Sequence, residues 1–123
     1  TFQLGIRSGT KEEFRYAQEH TNIYFDKLTD SLQEVIAKCG QAPVYLTVDI
    51  DVLDPAYAPG TGTPEPGGVT SRELLQAMKQ MSSLNIIGFD VVEVSPPYDS
   101  ADITAAIAAK LVREALIGFC KRA

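Results

Sequence analysis

Val44-Tyr45-Leu46-Thr47-Val48-Asp49-Ile50-Asp51 follows Ala42-Pro43 and is rich in β-branched and aromatic residues, almost without a polar break until the two aspartates. A run of this kind reads as a strand covered on both faces, and so as a central parallel strand. Working upstream, Leu28, Leu32, Val35, Ile36 and Cys39 recur at helical spacing between Asp26 and Cys39, with Gly40 as the stop. Downstream, Pro55, Pro59, Pro64 and Pro66 with Gly60, Gly62, Gly67 and Gly68 make residues 54 to 68 a fixed loop, neither helix nor ladder. Thr70-Ser71-Arg72-Glu73 then caps a second helix with Leu74, Leu75, Met78 and Met81 on its apolar face. Ile86 to Val94 is the second strong strand, closed by Ser95-Pro96-Pro97, and Asp102 to Cys120 is a third helix. Leu4 to Arg7 and Asn22 to Phe25 are shorter strand candidates. The alternation predicts an α/β fold with a parallel sheet.

Composition sets the bounds. At 123 residues, 45% hydrophobic and 22% charged, the chain has the make-up of one globular domain. Its apolar runs fall short of the roughly 18 residues of a membrane span. A net charge of −5 speaks against a nucleic-acid partner, which calls for a basic face, and suits a cationic small molecule. Cys39 and Cys120 fall in helical stretches without CxxC spacing, and read as buried thiols of a reducing, cytoplasmic compartment. The chain opens on Thr1-Phe2-Gln3-Leu4, almost directly on a strand, as a piece of a longer protein would.

In open α/β sheets ligands bind beyond the carboxyl ends of strands, which directs attention to the exits of the two strong strands. Asp49 and Asp51, two apart, would share one side of a strand at about 6.6 Å along the chain. Two carboxylates so close repel unless a cation or proton intervenes, and hard divalent metals prefer oxygen ligands. Turn chemistry is the competing reading, because Asp54-Pro55 just beyond is a turn starter. On the second strand Glu93 is in phase with Phe89 and Val91, and Asp90 with Val92 and Val94. Acids on both faces of a buried strand need partners. Asp90 reads as structural, and Glu93 as either a substrate carboxylate or a structural ion pair.

The stretch from Thr47 to Gly68, with its Asp49-Ile50-Asp51 and Gly60-Thr61-Gly62-Thr63-Pro64 segments, resembles the long signature of the ureohydrolases, the arginase and agmatinase family. Asp90-Val91-Val92-Glu93-Val94-Ser95-Pro96-Pro97-Tyr98-Asp99 resembles its companion, and the likeness runs from Gly5-Ile6-Arg7 onward, looking most like the agmatinase branch. The resemblance implies a three-layer α/β fold with a parallel sheet and two manganese ions (Mn2+) at the strand ends. It implies Asp49 and Asp51 as metal ligands and Glu93 and Thr63 as substrate-binding residues. It further implies hydrolysis of a small guanidino substrate, agmatine first, to urea and an amine, in a homo-oligomer.

The family's His-bearing motifs, of Gly-Gly-Asp-His and Asp-Ala-His type, are absent from this sequence, so residues 1–123 are expected to be the C-terminal part of a ureohydrolase domain. The single histidine, His20, sits in a polar stretch and reads as an exposed residue, leaving no catalytic residue within the chain. A non-catalytic binding or assembly module built on the same half-fold is one alternative. An unrelated Asp-x-Asp metal enzyme, such as a sugar-nucleotide transferase, is another; the Gly-Thr-Gly-Thr-Pro loop and the Glu93 strand exit tell against it.

Overall fold

A computed structural model describes residues 1–25 and 28–120. The elements run β1 (Phe2–Ile6), α1 (Lys11–His20), β2 (Asn22–Phe25), α2 (Leu28–Cys39), β3 (Pro43–Asp49), α3 (Ser71–Met81), β4 (Asn85–Val92) and α4 (Ile103–Phe119). β1 pairs with β2, and β3 with β4, both in parallel. Among the described residues these are two separate two-stranded sheets. The start of the predicted helix at Asp26 lies outside the described residues.

One core serves the whole arrangement. Leu32, Val48, Ile50, Leu53, Leu74, Met78 and Leu111 are buried together, with Leu46, Phe89 and Val91 packed against them from the sheet. α4 lies on β4, where the rings of Phe89 and Phe119 meet edge to face at 5.8 Å; α3 lies between α4 and α2. α3 begins as its sequence requires. Thr70 accepts from the N–H of Glu73 at 3.2 Å while the Glu73 carboxylate accepts from the N–H of Thr70 at 2.8 Å, a reciprocal cap of about 1 kcal/mol.

Several expectations need correction. β3 is covered on one face only: Val48 is buried, whereas Tyr45 on the other face is 64% exposed. Thr47 on the same face is exposed as well, and among the described residues β4 is the only strand hydrogen-bonded to β3. The strand stops at Asp49, so Asp51 belongs to a 3-10 turn, Ile50–Val52, rather than to a continuing ladder. β4 stops at Val92, leaving Glu93 outside it. Helix α1 is absent from the periodicity because only Ala17 is buried on it; its signal was the capping box of Thr10 and Glu13. Neither cysteine is a buried thiol: Cys39 is half-buried, and Cys120 is exposed just past the end of α4.

Candidate active site

The site begins where β3 ends. The Asp49 carboxylate turns back and accepts from the N–H of Asp51 at 3.1 Å, which stops the ladder and starts the 3-10 turn. That turn sends Ile50 into the core, fully buried, and leaves Asp51 partly exposed at the exit. The two aspartates thus meet through a local turn and not through strand alternation. The turn chemistry that competes with metal binding in the sequence is present, and it keeps the carboxylate of Asp49 beside Asp51.

The loop after the turn is closed at its neck. The N–H of Asp54 donates to the carbonyl of Val69 and the N–H of Val69 to that of Val52, both at 3.0 Å. Gly68 permits this closure, since a Cβ there would lie 2.4 Å from the Asp54 nitrogen. Asp54 ties the interior, accepting from the N–H groups of Ala56 at 3.0 Å and Gly67 at 2.8 Å. These bonds hold its carboxyl below the usual range, with a smaller contribution from the charge of Arg7.

The far side of the loop is fastened to β4 and α4. Thr61 bridges Val94 antiparallel, the N–H of Ser95 donates to the Gly60 carbonyl at 2.8 Å, and the N–H of Gly60 donates to Thr104 Oγ1 at 2.7 Å. Asp99 packs against Gly60 so closely that a Cβ on the glycine would stand 2.4 Å from its own. The same aspartate caps α4, accepting from the N–H groups of Thr104 at 2.9 Å and Ala105 at 2.8 Å. Burial pushes the Asp99 carboxyl up, but these amides hold it below its ordinary value.

Glu93 occupies the gap between strand and bridge with φ of 63°, the left-handed region that non-glycine residues rarely adopt. This breaks the phase with Phe89 and Val91 read from the sequence. Its carboxylate lies over Gly62, where a Cβ would be 3.9 Å from Glu93 Oε2. Thr63 Oγ1 stands 3.4 Å from Asp51 Oδ2. Burial raises the Asp49 carboxyl above its ordinary range; the N–H of Asp51 opposes this, and the charges of Asp51 and Glu93 add to the rise. The structure therefore gathers Asp49, Asp51, Thr63 and Glu93 at one mouth.

Asp90, by contrast, lies on the open face of β4 and takes a hydrogen bond from Tyr45 Oη at 2.7 Å, a partner of the kind its structural reading called for. His20 ends α1 with its side chain half exposed, its ring against Tyr16 at 4.3 Å. Among the described residues no three His, Cys, Asp or Glu side chains form a group able to hold a metal ion. The two aspartates are an incomplete donor set. Arg7, which the sequence places at the end of a short strand with no role at the site, stands just beyond β1 and reaches the turn of Asp51. A cation at a strand exit is the available signal, carried by a strand much shorter than the two whose exits hold the acids.

Residues 1–118 match the arginase family, and the chain belongs to it. It is 51% identical to an agmatinase of Bacillus cereus over 98% of this chain and 42% of that protein. The chain thus spans about two-fifths of the curated relatives it matches. Among solved structures it is similar to a proclavaminate amidino hydrolase from Streptomyces clavuligerus, with a TM-score of 0.88 and 41% identity over 96% of this chain and 42% of that one. An arginase from Bacillus caldovelox superposes with a TM-score of 0.83 at 32% identity, over 98% of this chain and 43% of that one. The arginase-type α/β architecture follows from these likenesses. No helix of the described residues is long and apolar enough to cross a membrane.

Proposed function

We propose that residues 1–123 are the C-terminal part of a manganese-dependent ureohydrolase domain whose complete protein hydrolyses agmatine to urea and an amine. The observation that carries this reading is the convergence of Asp49, Asp51, Thr63 and Glu93 on one strand-end mouth in a chain of the arginase family. Agmatine is preferred among guanidino compounds because relatives at about half identity are agmatinases. A homo-oligomer in the cytoplasm belongs to the same reading.

The donor chemistry fits the metal. Asp49 and Asp51 offer only carboxylate oxygens, the donors that hard divalent cations prefer, and their crowding with Glu93 is a repulsion that a cation relieves. These two aspartates would hold manganese, with further ligands from residues outside this chain. When bound, the ion pair supplies Lewis acidity, which brings the pKa of water toward neutrality and stabilises charge developing on the substrate.

The chain's own residues supply position. Glu93 presents a carboxylate that matches a guanidinium in a two-pronged, charge-assisted pair and fixes the plane of the carbon to be attacked. Thr63, fixed in the loop beside Asp51, offers a hydroxyl to the same group. The bonds that Gly60 accepts from the N–H of Ser95 and donates to Thr104 Oγ1 keep that loop at a set distance from Glu93 before substrate arrives. Such prior ordering lowers the entropic cost of reaching the reactive geometry.

The test is a urea-release assay of the complete protein with manganese added, across agmatine, guanidinobutyrate, guanidinopropionate and arginine. Urea from agmatine at the highest kcat/KM supports the proposal. Urea from another of the four overturns the choice of substrate, and none from any favours a non-catalytic module.

A further inference from the structure

Arg7 follows directly on β1, whose last turn of backbone is unusual. Gly5 has φ of +73° and sits at the bulge where the pairing with β2 shifts register between Leu4 and Ile6. A Cβ at Gly5 would lie 2.8 Å from Val52 Cγ2, so the strand end is pressed flat on the turn that carries Asp51. From there the guanidinium reaches main-chain carbonyls of three segments. Nη1 donates to Val52 at 3.1 Å and to Gly5 at 3.4 Å. Nη2 donates to Glu65 at 3.0 Å and to Asp51.

These bonds bear on the site through the backbone of Asp51. Its N–H is held by the Asp49 carboxylate and its carbonyl by Arg7, so the peptide groups on both sides of its Cα are fixed. The Glu65 bond secures the loop two residues after Thr63, whose hydroxyl faces the Asp51 carboxylate. A planar fork with five N–H donors can serve several carbonyls at once; a lysine ammonium on its flexible stem is a point charge and cannot reproduce that pattern. The acceptors are all carbonyls of the backbone, which gives the arginine a geometric part to play at the turn and the loop together.

We infer that Arg7 is a positioning residue that sets the Asp51 carboxylate and the Thr63 loop in place for the metal centre, an inference that rests on the manganese-dependent reading above. Arg7 touches neither substrate nor metal in this scheme. It acts by removing freedom from the turn, so its loss weakens metal binding before it affects the chemical step.

Arg7→Lys and Arg7→Gln in the complete protein decide the matter, with manganese affinity by titration calorimetry, urea release against manganese concentration, and thermal unfolding without metal. The expected result is an affinity about 10- to 100-fold weaker in Arg7→Gln, the range for loss of a group that orients a metal ligand, with a smaller loss in Arg7→Lys. Excess manganese restores most of kcat in both variants. Unchanged manganese affinity, with or without a lower melting temperature, overturns the inference, as does failure of both variants to fold, which would assign Arg7 to the fold alone. A wild-type protein that binds no manganese removes the underlying reading and this inference with it; normal wild-type binding with indifferent variants removes this one only.

Discussion

Glu93 combines a strained backbone with a carboxylate at the mouth, and two substitutions separate those properties. A left-handed conformation costs an L-residue roughly 1–2 kcal/mol, and Glu93 at φ of 63° carries that cost. Glu93→Gly removes it but gives back roughly 0.5–1 kcal/mol through the greater freedom of glycine in the unfolded chain. The net expectation is a protein as stable as wild type or more so, by about 0–1.5 kcal/mol, and nearly inactive. Glu93→Gln keeps the strain and the shape but loses the charge and one of two acceptors. Charge-assisted hydrogen bonds contribute about 1.5–3 kcal/mol each, so losing one prong lowers kcat/KM by on the order of 10²-fold at about 1.4 kcal/mol per decade. Thermal unfolding and steady-state urea release on the complete protein read both quantities. A Glu93→Gly variant clearly less stable than wild type would refute the strain argument, and full activity in Glu93→Gln would return Glu93 to a structural role. Loss of bound manganese in Glu93→Gln would instead make it a ligand.

Asp49→Ala and Asp51→Asn in the complete protein should abolish manganese-dependent urea release with the far-ultraviolet dichroism unchanged; full metal content and turnover in both would sink the assignment. Residues 1–123 alone should neither bind two manganese ions tightly nor release urea, and should associate in sedimentation experiments. Ile87, Leu116 and Ile117 are each more than 60% exposed on them, a surface that invites association. Urea released by the isolated chain would show that no other segment is needed. Asp99 should contribute to acid sensitivity, because a carboxyl held below its ordinary value stabilises the fold above the unfolded pKa, near 4, and loses that contribution as pH falls through the lower folded value. Asp99→Asn should therefore be less stable than wild type at neutral pH, with the gap in melting temperature closing below about pH 4; a gap constant with pH would contradict the reasoning.

The parts of the fold legible in the sequence are those where the local signal and the tertiary demand coincide. α3 is such a case: the capping box of Thr70 and Glu73 and the spacing of Leu74, Met78 and Met81 describe the helix the structure shows. β3 and β4 were equally plain in their centres, where β-branched residues face the core. Their ends were not, since a side chain takes over from the ladder in one and a distant segment dictates the backbone of the other. Asp49 competes for the N–H of Asp51 and ends β3 early. Glu93 is forced out of phase by the bridge between Thr61 and Val94, residues far apart in the chain, which no window of periodicity contains. α1 was illegible for a different reason: a helix that buries only one alanine leaves almost no apolar stripe to read. Cys120 was misread because a helical position says nothing of whether the last turn has a neighbour. Asp49, Asp51, Thr63 and Glu93, which the structure brings together, stood out by motif; Arg7 stood at the edge of the likeness with nothing in the sequence to show that its side chain spans 44 residues to the turn.

The bonds of Arg7 also fix an order of events in folding. Three of them join residues separated by 44, 45 and 58 positions, whereas the cap of α3 and the turn at Asp49 close over two or three. Contacts of high sequence separation form only after the entropy of closing long loops has been met, so local elements lead and the docking of β1 comes late. A nascent or partly opened molecule would carry the aspartates of the turn without the clamp that orders them. On the manganese-dependent reading proposed above, metal uptake during refolding of the complete protein would wait on the docking of β1, as well as on ligands from outside residues 1–123, and not only on the formation of the turn.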